Sequence, residues 1–335
     1  MRPMDEHEHQ DEQMNEPENL DETSRMYELE FPAPELTAPD GRGPVLVHGM
    51  EGFSDAGHAI RIATSHLREQ LETELVASFD IDELLDYRSR RPTMSFEGDH
   101  FASYAEPALN LYAVKDKAGT PFLLLAGMEP DLRWERFITA VRMLADRFGV
   151  RRTIGMNAIP MAVPHTRPTG VTAHGSSTEL VRGYEPWVGN IQIPASAASL
   201  LEFRLGKAGY EAMGFAAHVP HYLSQTDYPE AAQTLLGHLG DASGLSLPVE
   251  ELTEAAARVR EQIDAQVTAS EEVTAVVQAL ERQYDAYVGS QERTSLLAAN
   301  GELPTGDELG AELERFLAQR TDRDPPAPGS APEGL

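Results

Sequence analysis

Short apolar runs alternate with amphipathic stretches between residues 45 and 239, and this alternation restricts the fold more than any other feature of the sequence. The runs Val45–Val47 and Phe122–Ala126 have the length and composition of buried strands. The stretches Ser54–Leu71 and Trp134–Phe148 repeat apolar side chains at helical spacing. Because such strands are joined by helical crossovers, the helices cover both faces of a mostly parallel sheet. The sequence therefore predicts an α/β fold, a three-layer sandwich.

The same patterns predict the remaining elements of this region. Further strands are predicted at Leu75–Phe79, Phe101–Tyr104, Leu109–Val114, Thr153–Met156 and Met213–His218, and helices at Ser196–Ala208 and Ala231–Leu239. The strands Phe101–Tyr104 and Leu109–Val114 are separated by Glu106-Pro107, a turn sequence, so they are expected to form an antiparallel insertion.

The two ends of the chain have compositions that cannot build a core. Residues 1–25 include nine acidic residues and few large apolar side chains, which predicts a disordered acidic tail. Residues 320–335 are rich in Pro and Gly and are also predicted to be disordered. Between them we predict an α/β core at 26–244 and a helical appendage at 245–319. The last helix of the appendage would begin at a capping box, Thr305-Gly306-Asp307-Glu308.

Composition excludes several classes of site. The chain has 335 residues, a formal net charge of −28 and no cysteine, so disulfides, zinc–thiolate sites and cysteine nucleophiles are excluded. Such a negative chain is repelled by nucleic acid and by anionic membranes, and we expect neither as a partner. The sequence has no apolar stretch of membrane-spanning length and no signal-peptide pattern at its start, which favours a cytoplasmic location.

The segment PVLVHGMEGFSDAG, residues 44–57, leads from a strand into a helix, and its VLVHG stretch resembles the strand and His-Gly loop of α/β-hydrolases. A hydrolase would also need Gly-x-Ser-x-Gly at a later strand-to-helix turn, and the chain has none. The loop also lacks the Gly-Lys-Ser/Thr of a phosphate loop and the Gly-x-Gly-x-x-Gly of a dinucleotide site. We interpret it as a turn that defines the fold and contributes one wall of a pocket.

This loop and several later motifs resemble the proteasome assembly chaperone 2 family. In that family a strand runs into Glu-Gly-x-x-Asp-Ala-Gly, as it does here at residues 51–57. The other matching motifs, in order, are DYRSRRP (86–92), GMEPDLRW (127–134), IPMAVPHTRP (159–168) and TDYPEAAQTLL (226–236). The segment LPTGDELGAELERFL (303–317) is similar to the long actinobacterial branch of the family. The resemblance extends from Tyr27 to Gln319.

The resemblance carries its own expectations. It implies an α/β sandwich of the phosphorylase/hydrolase-like kind and no established activity for this branch. The family takes its name from eukaryotic relatives that help to assemble proteasome α-rings. Resemblance to this branch favours a homo-oligomer, most simply a trimer, and a proteasome-related protein as partner.

Polar side chains follow several predicted strands, where parallel α/β sheets place their ligands. The candidate ligand-binding residues are Glu51, Asp55, Glu129, Arg133, His165, Arg167 and His221. Charges of both signs would suit a zwitterionic or phosphorylated small molecule.

Each candidate also has a structural explanation. Asp55 could cap the following helix, and His165 could make structural hydrogen bonds. Glu51 and Glu129 could pair with Arg133 or with Arg88, Arg90 and Arg91. His218 and His221 have the spacing of a weak metal pair without a third ligand, so we expect no metal, and no cofactor motif is present.

Three classes of function remain open: a non-catalytic interaction or assembly protein, an enzyme acting on a nucleoside-like or other small polar substrate, and a ligand-binding regulator. No nucleophile–base pair is visible in the sequence, which favours the first class.

Overall fold

The computed structural model describes residues 26–34, 36, 41–185 and 190–299, with side chains described as far as residue 289. The tails predicted at 1–25 and 320–335 lie outside the described residues, as does the helix predicted to begin at Thr305. These three expectations stay predictions.

The described residues contain ten strands, eight in one sheet and two in a separate hairpin. They are β1 (Tyr27–Leu29), β2 (Val45–Glu51), β3 (Glu72–Phe79), β4 (Met94–Glu97), β5 (His100–Tyr104), β6 (Leu109–Lys115), β7 (Pro121–Met128), β8 (Arg152–Met161), β9 (Val171–Gly175) and β10 (Glu211–Pro220). The order in the main sheet is β1-β3-β6-β7-β2-β8-β10-β9. Its centre, β7-β2-β8-β10, is parallel, and the outer pairs are antiparallel.

Seven α-helices lie within the described ranges. They are α1 (Ala59–Gln70), α2 (Ile81–Leu84), α3 (Trp134–Arg147), α4 (Ala197–Lys207), α5 (Pro229–Ser243), α6 (Thr253–Thr268) and α7 (Glu271–Ala299). None of these helices is both long enough and apolar enough to cross a bilayer.

Helices cover both faces of the sheet. Successive residues of its central strands point to opposite faces, and both sets are apolar. Val47 of β2 packs in one cluster with Leu67 of α1, and α5 contributes to the same cluster. The next residue along β2 toward the N-terminus, Leu46, packs in the other cluster with Phe137 of α3 and Leu201 of α4. This arrangement confirms the predicted α/β sandwich with its parallel sheet centre.

The chain divides into two compact units, Met1–Leu280 and Glu281–Leu335. The first contains the whole sheet and also α6, whose Ile263 is buried in the same cluster as α5. The start of α7 belongs to the first unit and its end to the second. The domain boundary expected between residues 244 and 245 stays a prediction.

The structure differs from the sequence prediction in how one hairpin is formed. β5 pairs with β4 outside the main sheet, whereas β6 lies inside the sheet between β3 and β7. Burial explains the difference, because β6 is almost wholly buried and β5 is exposed at every residue. The sheet therefore takes up the apolar strand and leaves the other on the surface.

Close packing of two backbone segments just before β2 and β8 gives a direct test of this fold. At Gly43, just before β2, an added Cβ would lie 1.7 Å from the backbone oxygen of Gly149. We expect Gly43→Ala to lower the free energy of unfolding by about 1–3 kcal/mol, because backbone must move to relieve the overlap. Gly237→Ala on α5, where a Cβ meets nothing within 4 Å, is the control. Urea denaturation should show Gly237→Ala to be as stable as the wild type or more stable. Equal loss of stability in the two variants would contradict the close packing at Gly43.

Candidate functional site

Glu129 joins three segments at the carboxyl edge of the sheet. It follows β7, and its side chain is buried, with 6% of the residue exposed. Oε2 accepts a hydrogen bond from the backbone N–H of Phe53 at 2.9 Å, and Oε1 accepts one from the N–H of Ala197 at 2.8 Å. Ala197 begins α4, where unpaired N–H groups and the helix dipole favour a carboxylate. Glu129 therefore connects the loop after β2, the end of β7 and the start of α4.

Gly52 provides the space for this carboxylate. An added Cβ at residue 52 would lie 2.3 Å from Oε2 of Glu129 and 2.6 Å from its Cβ. The Glu-Gly step of the first sequence motif is therefore needed for packing as well as for the turn.

Arg90 stabilises the same edge from the segment between α2 and β4. It donates hydrogen bonds to the backbone oxygens of Glu129 and Glu51, the latter at 3.3 Å, and it pairs with Asp131 at 2.6 Å. The sequence predicts Arg90 only as an ion-pair partner for the glutamates. In the structure it contacts their main chain, and no sequence pattern distinguishes these two possibilities.

Asp55 and Glu51 form a partly buried acidic pair beside the start of α1. Oδ1 of Asp55 accepts a hydrogen bond from the N–H of Ile60 at 2.6 Å, so Asp55 supplies the helix-terminal contact expected as its structural explanation. Burial, assisted by the nearby Glu51 charge, raises the pKa of Asp55 to about 6. Burial also raises the pKa of Glu51, and the charges of Arg61, Arg68 and His58 oppose that rise. This pair holds protons more tightly than ordinary carboxyl groups do.

Arg133 has a partner outside the candidate set. It precedes α3 in a left-handed conformation, with φ of 56°, and its guanidinium pairs with Glu83 of α2. Both side chains are more than 40% exposed. Arg133 therefore forms a surface ion pair, and the carboxylate of Glu129 binds main-chain N–H groups.

His165 is the centre of a hydrogen-bonded chain. Its Nδ1 lies 2.6 Å from the hydroxyl of Tyr222, and its Nε2 lies 3.1 Å from Oδ1 of Asp264 on α6. The backbone N–H of His165 also donates to the Tyr222 hydroxyl at 2.9 Å. With 1% of its surface exposed, His165 links the loop after β8 to the turn after β10 and to α6.

The remaining predicted residues are more peripheral. Arg167 donates to the backbone oxygen of the preceding residue at 3.3 Å. His221 is exposed, with its ring against Tyr222, whereas Nε2 of His218 lies 2.8 Å from the hydroxyl of Thr172 on β9. Among the described residues, no group of three His, Asp or Glu side chains is arranged to hold a metal ion.

The candidate residues therefore belong to separate contact networks at this edge and do not converge on one point. Glu129 and Glu51 are joined through their backbones at 2.9 Å, while the side chains of Glu129, Arg133 and His165 have partners outside the set. Ligand binding by the seven residues stays a prediction.

A cavity of about 400 Å³ opens beside Glu129. Its lining combines Arg90, Glu129 and Asp131 with the apolar Phe53 and Trp134. The polar groups are engaged in the contacts described above, and the indole N–H of Trp134 donates to the backbone oxygen of Pro130 at 2.7 Å. The ring of Phe53 is exposed. The accessible surface here is therefore more apolar than the sequence suggested.

The segments that form this edge coincide with a family signature. A family model described as the PAC2 family matches residues 49–267, from the end of β2 to the end of α6. The chain belongs to the PAC2 family. This confirms the resemblance to the proteasome assembly chaperone 2 family. No curated protein matches the sequence.

Several solved structures of actinobacterial proteins are similar to this PAC2 protein. A Mycobacterium tuberculosis protein of unknown function is 63% identical, with a TM-score of 0.78, over 79% of this chain and 92% of the relative. A Corynebacterium glutamicum protein of unknown function is 45% identical, with a TM-score of 0.75, over 79% and 98%. A proteasome-assembly chaperone homologue from M. tuberculosis is 25% identical, with a TM-score of 0.63, over 70% and 99%.

A second polar cluster, which the sequence did not indicate, lies beneath α4. His48 of β2 is 1% exposed, and within the described part of the chain neither of its ring nitrogens has a hydrogen-bond partner. Its ring occupies the space above Gly155, where a Cβ would lie 2.6 Å from His48 Cε1. Farther across the sheet, His174 pairs with Glu202 of α4 at 2.8 Å. A histidine within an apolar run was the available signal, but the glycine that receives its ring is on another strand.

The contacts of Glu129 predict which residue maintains the edge. We expect Glu129→Ala to lower the free energy of unfolding by about 3 kcal/mol, because buried N–H groups of Phe53 and Ala197 lose a charged acceptor. Arg133→Ala should cost less than about 1 kcal/mol, since it removes only a surface ion pair. Chemical denaturation at pH 7 compares the two variants. A loss for Arg133→Ala as large as that for Glu129→Ala would indicate an ion-pair network instead.

The burial of His48 predicts a pH dependence. Burial lowers the pKa of His48 from 6.5 to about 4, so the unfolded chain binds more protons between these values and stability falls as the pH is lowered through that window. The loss approaches about 3 kcal/mol. His48→Leu should remove it. Asp55 acts in the opposite direction, because its raised pKa favours the folded state at low pH, but it contributes equally to both proteins. Urea denaturation between pH 7 and pH 4 gives the difference, and parallel curves for the two proteins would contradict the prediction.

Proposed function

We propose that this PAC2 protein is a non-catalytic assembly factor that binds a proteasome-related protein in the cytoplasm and acts as a homo-oligomer, most simply a trimer. Family membership supports this proposal, as does the similarity to a relative described as a proteasome-assembly chaperone homologue. Family membership and structural similarity describe the chain as a whole. The support for a particular binding surface comes from the residues of the site.

The observation that carries the proposal is the exposure of apolar side chains around an edge whose polar groups bond internally. Phe53, Leu132 and Ile193 are exposed large apolar residues in the segments at this edge. Glu129 and Arg90 are engaged with the main chain of the same edge. Exposed apolar side chains rimmed by polar groups are typical of protein-binding surfaces. A rigid edge of this kind fits the docking of another protein.

Capture of purified proteasome α-subunits by the tagged full-length protein tests the proposal. We expect wild type to retain the subunits and Phe53→Asp to lose at least tenfold in affinity, because a charge replaces an exposed anchor at the edge. The matched control is Phe203→Asp. Phe203 is also an exposed phenylalanine but lies on α4, so this variant should bind as the wild type does.

Equal binding by the two variants would remove the edge from the proposal. A wild-type protein that retains no proteasome subunit would overturn the choice of partner. The mass of the wild-type protein by sedimentation equilibrium tests the homo-oligomer separately, and a mass of 36.8 kDa at micromolar concentration would contradict it.

A further inference from the structure

The outer surfaces of α3 and α4 are basic, although the chain has a formal net charge of −28. Of the acidic side chains on these helices, Glu202 is largely buried. Glu135 is exposed and pairs with Arg204 at 2.6 Å, and Asp146 is exposed and accepts a hydrogen bond from a tyrosine. The basic face is defined by the exposed side chains of Arg136, Arg142, Arg147, Arg204 and Lys207.

Part of the positive charge on the basic face is not neutralised by the described residues. Within those ranges Arg142 and Arg147 form no ion pair. The ammonium group of Lys207 lies over an exposed aromatic ring, 5.6 Å from its centroid. Arg136 and Arg147 are three helical turns apart, so they lie on one line along α3, about 16 Å from each other. Met143 is half-buried between them. The basic face therefore presents a row of cations that suits an extended acidic chain.

The described chain begins beside this face. Met26 is buried in the same apolar cluster as α3 and α4. The ring of Tyr27 lies 5.9 Å from that of Phe79, which lies 5.3 Å from the ring of Phe137 on α3. Burial raises the pKa of Tyr27 and the charge of Arg147 opposes that rise, as expected for a guanidinium near the phenol. The residues before Met26 therefore join the fold at the Arg147 end of the basic face.

The segment that joins the fold there, the acidic tail of residues 1–25, has the complementary charge. Its carboxylates recur in groups about every five residues. An extended chain advances about 3.3 Å per residue, so successive groups are about 16 Å apart, which matches the spacing of Arg136 and Arg147. The groups are Asp5, Glu6 and Glu8, then Asp11 and Glu12, then Glu16 and Glu18, and finally Asp21 and Glu22.

We propose that the acidic tail docks on the basic face of α3 and α4 of its own chain. The group nearest Met26 lies at Arg147, the next group lies at Arg136, and the earlier carboxylates have the length to reach α4. Each exposed ion pair contributes little. The covalent tether, however, gives the tail an effective concentration on the order of millimolar, so weak contacts are enough. Docking by charge needs no fixed conformation, which fits the polar composition of the tail. The docked tail also keeps other acidic molecules from this face.

Disulfide trapping in the full-length protein tests the docking. The chain has no cysteine, so a pair can be introduced without background. Asn19→Cys lies between the last two acidic groups, and Met143→Cys lies between Arg136 and Arg147. We expect this pair to form a disulfide within one chain on mild oxidation at low ionic strength. The matched control combines Asn19→Cys with Ala257→Cys, which is exposed on α6 at the opposite face of the sheet, and should stay reduced.

Charge reversal in the first cysteine pair shows what holds the tail. We expect Arg136→Glu together with Arg147→Glu to slow disulfide formation about tenfold, because two attractions become repulsions. Arg258→Glu, at an exposed arginine of α6, should leave the rate unchanged. Adding Glu18→Lys and Glu22→Lys to the double arginine variant should restore most of the rate. Salt at about 1 M, where the screening length falls to about 3 Å, should slow the reaction of the unreversed protein.

Three results would overturn the proposal. Equal disulfide yields from the two cysteine pairs would contradict docking on α3. A rate that neither charge reversal nor salt changes would contradict the role of the basic face. A product that joins two chains, seen at twice the mass in a non-reducing denaturing gel, would contradict docking within one chain.

Discussion

The buried carboxylate of Glu129 is the interaction on which the functional edge of this protein depends. It accepts hydrogen bonds from the loop after β2 and from the first turn of α4, and its own chain segment continues from β7. A buried charge is stable only when enough donors replace its lost hydration, and here main-chain N–H groups supply them. The Gly52 backbone must approach closely for this to happen, which accounts for the glycine after Glu51.

The charged side chains of this edge are engaged within the protein itself. Catalytic acids and bases are arranged toward a reacting molecule, whereas Glu129, Arg90 and His165 are directed at the protein's own main chain and side chains. Apolar side chains such as Phe53 remain at the surface. A rigid frame that displays apolar groups supports the proposed role in protein recognition.

Sequence reasoning predicted the strands of the sheet centre and only some of the contacts that the candidate residues make. The apolar runs at β2, β7 and β10 predicted buried strands because burial on both faces leaves a continuous hydrophobic signal. The edge strand β9 carries no such run and was not predicted. The contact between Asp55 and α1 was foreseen as an alternative, because a helix-terminal contact is local in sequence. The contact between Glu129 and Ala197 joins residues far apart in the chain, and no local pattern reports it.

The sequence by itself determined the α/β architecture, the family and the absence of cysteine chemistry, because periodicity, motif order and composition are properties of the chain alone. Only the tertiary structure decided which charged side chains meet. Arg133 pairs with Glu83, Arg90 donates hydrogen bonds to main-chain oxygens of the edge, and the ring of His48 fills the space above Gly155. These outcomes depend on which strands become neighbours in the sheet, and long-range pairing of that kind is set by packing of the whole core.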